Sequence, residues 1–119
     1  MKKTVVIGAS ENPDRYAFKA MTSLKAHGHE VIGLGLKEGE VAGSKILTGK
    51  PQLTDIDTVT LYIGPAKHPE WMDYLIGLKP KRIIFNPGTE NDEFVSKASN
   101  NGIDCIEACT LVMLSIGNF

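Results

Sequence analysis

Thr4-Val5-Val6-Ile7-Gly8-Ala9-Ser10-Glu11-Asn12-Pro13-Asp14-Arg15 is the stretch whose reading decides the fold. Four β-branched or apolar residues form a buried strand, Gly8 lets the backbone turn sharply, and a helical pattern opens after Asp14. A strand, a glycine turn and a helix N-terminus in immediate succession make a phosphate-binding start, because the first helical N–H groups face whatever lies above the strand. The full G-x-G-x-x-G of dinucleotide folds is absent, with Ser10 and Pro13 standing in place of the second and third glycines.

Downstream, strands and helices alternate. Ala17, Met21 and Leu24, with Phe18 and Ala20 beside them, give one amphipathic helix capped by Asp14 and stopped at His27-Gly28. Glu30 to Leu36 reads as a second strand, and Lys37 to Pro51 as a charged, glycine-rich loop anchored by Ile46-Leu47. Asp57 to Ile63 gives a third strand. Pro69 begins a helix carrying Trp71, Leu75 and Leu78, and Arg82 to Phe85 forms a fourth strand. Asn91 caps a helix with Phe94, Val95 and Ala98 on its apolar face, Ile103 to Ile106 is the fifth strand, and Thr110 to Ile116 a short helix.

Apolar strands separated by helices predict an α/β, Rossmann-like fold: a five-stranded parallel sheet, order 3-2-1-4-5, with helices on both faces. The whole of residues 1–119 is expected to form one domain. Ligand is expected at the carboxyl ends of the strands, where the order reverses between the first and fourth. Five turns should converge there: Gly8-Ala9-Ser10, Gly35-Leu36-Lys37, Gly64-Pro65, Asn86-Pro87-Gly88 and Ala108-Cys109.

Composition narrows the function. A net charge of −1 with interspersed acids and bases offers no basic stripe for nucleic acid. No apolar run reaches the length of a membrane span, and the apolar stretch after Met1-Lys2-Lys3 ends too soon for a signal peptide, so the expected address is the cytoplasm. Cys105 and Cys109 are too few for a disulfide framework, and their spacing, with no histidine near, does not make a zinc site.

An NAD site carries an acid at the end of the second strand, yet Leu34-Gly35-Leu36-Lys37 stands there and Glu30 lies at the strand's other end. Lys37 favours an additional phosphate over a free ribose diol. Arg15 and Lys19, at the start of the first helix, are either pyrophosphate contacts or solvated charges. His27 and His29 fall at the wrong end of the sheet, and helix-start packing explains His68 as well as a site role does. No catalytic triad, carboxylate pair or metal cluster can be drawn. Cys109 falls just past the fifth strand at the site's rim, where helix N–H groups would lower a thiol's pKa, but it has no evident base and suits simple packing equally.

Gly8-Ala9-Ser10-x-x-Pro13-x-Arg15-Tyr16, Gly28-x-Glu30-Val31-Ile32, Glu40-Val41-x-Gly43, Ile56-Asp57-x-Val59, Pro87-Gly88-x-x-Asn91-x-Glu93 and Gly102 leading to Cys109 resemble the small stand-alone CoA-binding domain proteins, which are similar to the CoA-binding domain of the succinyl-CoA synthetase alpha chain. The resemblance covers nearly the whole chain. It implies that CoA, with its 3′-phosphate and pyrophosphate, lies across the strand ends, held by Gly8, Ala9, Ser10, Arg15, Gly64-Pro65 and Pro87-Gly88. Two departures stand out: Gly33-Leu34-Gly35-Leu36-Lys37 replaces the family's Pro-Val-Asn-Pro, and an apolar Thr110-Leu111-Val112-Met113-Leu114 replaces its polar tail. The expectation is a non-catalytic CoA- or acyl-CoA-binding protein, with Lys37, Asn86 and Cys109 completing the site. The alternatives are an NADP-dependent oxidoreductase domain and a regulatory subunit with a vestigial pocket. The crowded apolar residues from Leu111 to Phe119 suggest a homodimer in which the tail, with Trp71, packs across a two-fold axis, the alternative being a tail folded over its own edge strand.

Overall fold

Thr4–Ile7 (β1) is fully buried along its length because it is flanked on both sides and covered on both faces. The computed structural model describes residues 1–119. Helix α1 (Tyr16–Ala26) follows, then β2 (Val31–Leu34), β3 (Gly39–Val41), β4 (Ser44–Leu47) and β5 (Thr58–Leu61). A 3-10 turn over Pro65–Glu70 leads into α2 (Met72–Gly77), β6 (Arg82–Phe85), α3 (Asp92–Ser99), β7 (Asp104–Glu107) and α4 (Thr110–Ser115).

The fold is the expected α/β, Rossmann-like one, with two corrections. The sheet has seven strands rather than five, in the order β3-β4-β2-β1-β5-β6-β7. All pairings are parallel except β3 with β4. The two additional strands come from the expected Lys37–Pro51 loop, which folds into a hairpin closed by Ala42-Gly43 between paired Val41 and Ser44. Both turn residues have positive φ, 51° and 84°, the requirement of a type I′ turn. Alanine is a rare occupant of that position, so the usual Asn-Gly signal was missing.

The second correction concerns order. The five expected strands run 2-1-3-4-5, not 3-2-1-4-5, because β5 pairs with β1 while β4 takes the flank of β2. Thr58, Val59, Thr60 and Leu61 are all fully buried, which an edge position would not permit. The order therefore reverses between β1 and β5, not between the first and fourth expected strands.

Alternation along the strands divides the core. Val5, Ile7, Val59, Leu61, Ile83 and Phe85 face α2 and α3, packing on Met72, Leu75, Phe94 and Ala98. Val6, Val31 and Ile46 face α1, packing on Ala17, Met21 and Leu24, with Leu114 of α4 in the same cluster. Asn91 caps α3 as expected, accepting from Phe94 N at 3.2 Å. The α1 cap is Arg15 instead of Asp14, since Asp14 N and Arg15 N bend back to Oδ1 and O of Asn12. Pro69 lies inside the 3-10 turn, three residues before Met72, where the α-helix it was expected to begin starts.

Part of the apolar tail packs within its own chain. Met113 and Leu114 are buried, and the Phe119 ring lies 4.4 Å from the Arg82 guanidinium. Only Val112 and Ile116, 53% and 67% exposed, remain of the side chains thought too many for the fold to bury. Trp71 belongs to the opposite face of the sheet from α4, so the two do not form one continuous surface.

Buried Asn86 ties β6, β5 and α4 together. Its Nδ2 donates to Thr60 Oγ1 at 2.7 Å and to Leu61 O at 2.8 Å, while its Oδ1 accepts from Thr110 N at 2.9 Å. Thr60 and Thr110 share a further hydroxyl bond of 2.8 Å. Asn86→Ala strands a buried amide and a buried carbonyl and is expected to lower stability by roughly 2–4 kcal/mol, read as a shift in the urea unfolding midpoint.

Candidate functional site

A cleft of about 1200 Å³ opens above the carboxyl ends of the strands, lined by the segments that follow β1, β2, β4, β5 and β6. Its floor is the turn after β1. Gly8 has φ +90°, and a Cβ there would stand 3.0 Å from both Tyr62 O and the Ile63 side chain. Gly8 N and Ala9 N both donate to Leu34 O, at 2.9 and 3.0 Å. The turn can descend so far because Gly35 has no side chain: a Cβ would come within 2.3 Å of Ala9 O. The Gly33-Leu34-Gly35 sequence thus seats the first turn on β2.

With the Gly8 and Ala9 amides engaged, anion-binding capacity passes to the start of α1. The N–H groups of Tyr16, Ala17 and Phe18 lie too early in the helix for an internal acceptor, and no side chain caps them. Arg15, Tyr16 and Ala17 line the cleft. Ser10 Oγ accepts from Asn12 N at 3.0 Å, bracing the turn. Glu11 reaches sideways to accept from Glu40 N at 3.0 Å, in the space that Gly39 leaves by lacking a side chain, and so links the turn to the hairpin.

Four cations border the cleft, Arg15, Lys37, Lys50 and Lys67, and none is in an ion pair. The three ion pairs of the protein, Lys3–Glu30, Lys81–Asp57 and Lys97–Asp73, all lie elsewhere. Glu11, Asp14 and Glu70 are the acids along the lining.

Of the residues expected at the site, Gly8, Ala9, Ser10, Arg15, Lys37, Gly64, Pro87 and Gly88 line the cleft together. Pro65, Asn86 and Cys109 do not. Pro65 opens the 3-10 turn just outside, Asn86 is consumed by its structural bonds, and Cys109 follows β7, three strands away from β1. The segment Thr48-Gly49-Lys50 after β4 takes the place expected for Ala108-Cys109. Lys50, Lys67, Tyr62 and Trp71 were not foreseen there. The one sequence signal for Lys50 was the Ser44–Leu47 alternation, which marks a strand whose exit must also reach this end of the sheet.

His68 is fully buried between Phe85 and Phe94. Its Nε2 donates to Ile63 O and its Nδ1 accepts from Asn91 Nδ2, each at 3.0 Å, a tautomer assigned from the partners. The packing explanation therefore suffices for it. Burial pushes the Cys105 thiol up from its ordinary range, which suits a packing role.

The CoA binding domain family matches residues 2–115, and the protein belongs to that family. A crystal structure of an uncharacterized protein superposes with a TM-score of 0.96 at 51% identity, covering 100% of this chain and 98% of its own. A hypothetical protein from Pyrococcus horikoshii OT3 gives 0.87 at 28% identity, covering 97% and 82%, and a redesigned form of PH1109 gives 0.86 at 25%, covering 98% and 83%. No curated protein matches the chain significantly.

Tyr62, on the cleft wall, buries its hydroxyl beside the Thr60 and Thr110 side chains without a well-formed hydrogen bond, and burial outweighs these neighbours and pushes its pKa up to about 12. The unfolded chain ionises this phenol near the usual value of about 10. Stability should therefore hold below pH 10 and fall as pH rises toward 12, because the unfolded state releases the proton first. Tyr62→Phe is expected to remove that part of the alkaline loss, as measured by urea unfolding at stepped pH.

Proposed function

We propose that the protein binds coenzyme A or an acyl-CoA in this cleft, as a non-catalytic cytoplasmic carrier. The observation that carries the reading is the set of four cations along a glycine-floored cleft, all left without carboxylate partners, beside three free helical amides. A ligand with a pyrophosphate and a further phosphate would supply the opposing charge, and membership of the CoA binding domain family supports CoA as that ligand. The pyrophosphate sits at the start of α1, against Arg15 and the amides of Tyr16 and Ala17. Gly64, Pro87 and Gly88 leave the opposite wall free of side-chain bulk.

Lys37, exposed at the end of β2 where NAD-binding folds place an acid, opposes an NAD-type ribose contact and supports preference for an additional phosphate. Calorimetric titration should show CoA binding more tightly than dephospho-CoA, NAD or NADP, and tighter NAD binding would overturn the reading. Arg15→Ala should weaken CoA binding by about 1.5–3 kcal/mol, the worth of a hydrogen bond to a charged group. The α1 cap uses no side-chain bond, so the helix should survive this change.

The non-catalytic part of the reading is supported by the placement of the nucleophiles and bases. Cys109 lies outside the cleft lining, and both ring nitrogens of His68 are engaged. Incubation with acetyl-CoA should therefore release no free thiol above the buffer rate. A burst of thiol abolished by Cys109→Ser would make the protein an enzyme.

A further inference from the structure

Lys50 and Trp71 come from segments far apart in sequence, one following β4 and the other joining the 3-10 turn to α2, yet they meet on one wall of the cleft. The Lys50 ammonium lies 5.5 Å from the centroid of the Trp71 indole and donates to the carbonyl of Glu70. The same two segments are joined again by Tyr74, whose hydroxyl donates to Pro51 O and whose ring meets Trp71 edge-on at 5.9 Å. The indole is thus held in place by packing, while the lysine is exposed and has no ionic partner.

A cation resting on an aromatic face and a neutral carbonyl is weakly held at an exposed site, and a phosphate dianion is a better partner for it. The cleft therefore contains two anion-ready places of different chemistry. At α1 an arginine adjoins free amides, suited to a pyrophosphate. At Lys50 the cation adjoins an aromatic plane, suited to a group with a flat π-face and a phosphate side by side. Lys37 and Lys67 also line the cleft, but neither lies over a ring. Lys19 does lie over a ring, Tyr16, but is outside the cleft lining.

We propose that Lys50 and Trp71 receive the 3′-phosphoadenosine end of the ligand, the ammonium taking the 3′-phosphate and the indole stacking on the purine. This rests on the CoA-binding reading and assigns to Lys50 the phosphate discrimination for which Lys37 is the competing candidate. The stacking also gives an optical signal, because Trp71 is the single tryptophan of the chain.

The experiment titrates wild type, Lys50→Met, Lys50→Arg and Lys37→Met with CoA and dephospho-CoA, following heat and tryptophan emission together. Lys50→Met should lose affinity for CoA by roughly tenfold, the scale of one charge-assisted hydrogen bond, while dephospho-CoA affinity stays unchanged. Lys50→Arg, which keeps the charge, should retain the preference, and CoA should alter Trp71 emission in wild type. If wild type binds CoA but Lys50→Met keeps its preference, or if Lys37→Met alone abolishes it, the assignment to Lys50 is wrong and the CoA reading stands. CoA binding that leaves Trp71 emission untouched rejects the stacking. A wild type that binds neither compound overturns the CoA reading and this assignment with it.

Discussion

The Leu34 carbonyl accepts two hydrogen bonds, from the amides of Gly8 and Ala9, and the arrangement of the cleft depends on them. They draw the turn after β1 down onto the end of β2. The descent is possible only because positions 33 and 35 carry no side chains: a Cβ on Gly33 would stand 2.8 Å from Ala9 Cβ. Once the turn is fixed at this depth, Gly8 abuts Tyr62 O on the β5 side, and the chain emerges with Arg15 and the first turn of α1 over the sheet. The first two amides of the loop are then structural. Anion binding, if read from the glycine turn alone, would be assigned to groups that are already engaged.

The periodicity of the sequence carried the five parallel strands and their helices, because β1, β2, β5 and β6 bury largely apolar runs with a glycine or proline close behind, and half-exposed β7 follows the Asn101-Gly102 helix stop. It did not carry the hairpin. Gly39-Glu40-Val41 and Ser44-Lys45-Ile46-Leu47 bury only two apolar side chains, Val41 and Ile46, so the alternation of the second segment is weakly apolar, and Ala42 stands where asparagine would announce the turn. The wrong strand order followed from the same omission. Without β4 beside β2, that flank appeared open for the third expected strand, whereas the chain leaves β4 and crosses the sheet to pair β5 with β1.

Site residues were legible where backbone chemistry dictates them. Gly8, Gly64 and Gly88 mark strand exits in any sequence with this pattern, and Arg15 follows from its place at the helix start. Asn86 shows the limit of that reasoning: it also stands at a strand exit, but its side chain turns inward and satisfies Leu61 and Thr110, a tertiary outcome without a local signal. Lys50 and Trp71 are the converse. Each looks like ordinary surface or helix-face composition, and only the crossing from β4 to β5 brings them together.

The strands differ in how firmly they hold to their neighbours. β1, β5, β6 and β7 share four register pairs along each contact, but β4 is joined to β2 by two, Gly33 with Ile46 and Leu34 with Leu47. Its other partner, β3, is local, pairing residues at most seven positions apart, from Gly39 to Ile46. The hairpin therefore retains its own hydrogen bonds when separated from β2, and the carboxylate of Glu11 on Glu40 N is an exposed tether. In hydrogen-exchange terms such an edge is a place for partial opening short of global unfolding. Because Thr48, Gly49 and Lys50 continue directly from β4, any opening of this edge would also change the width of the binding cleft.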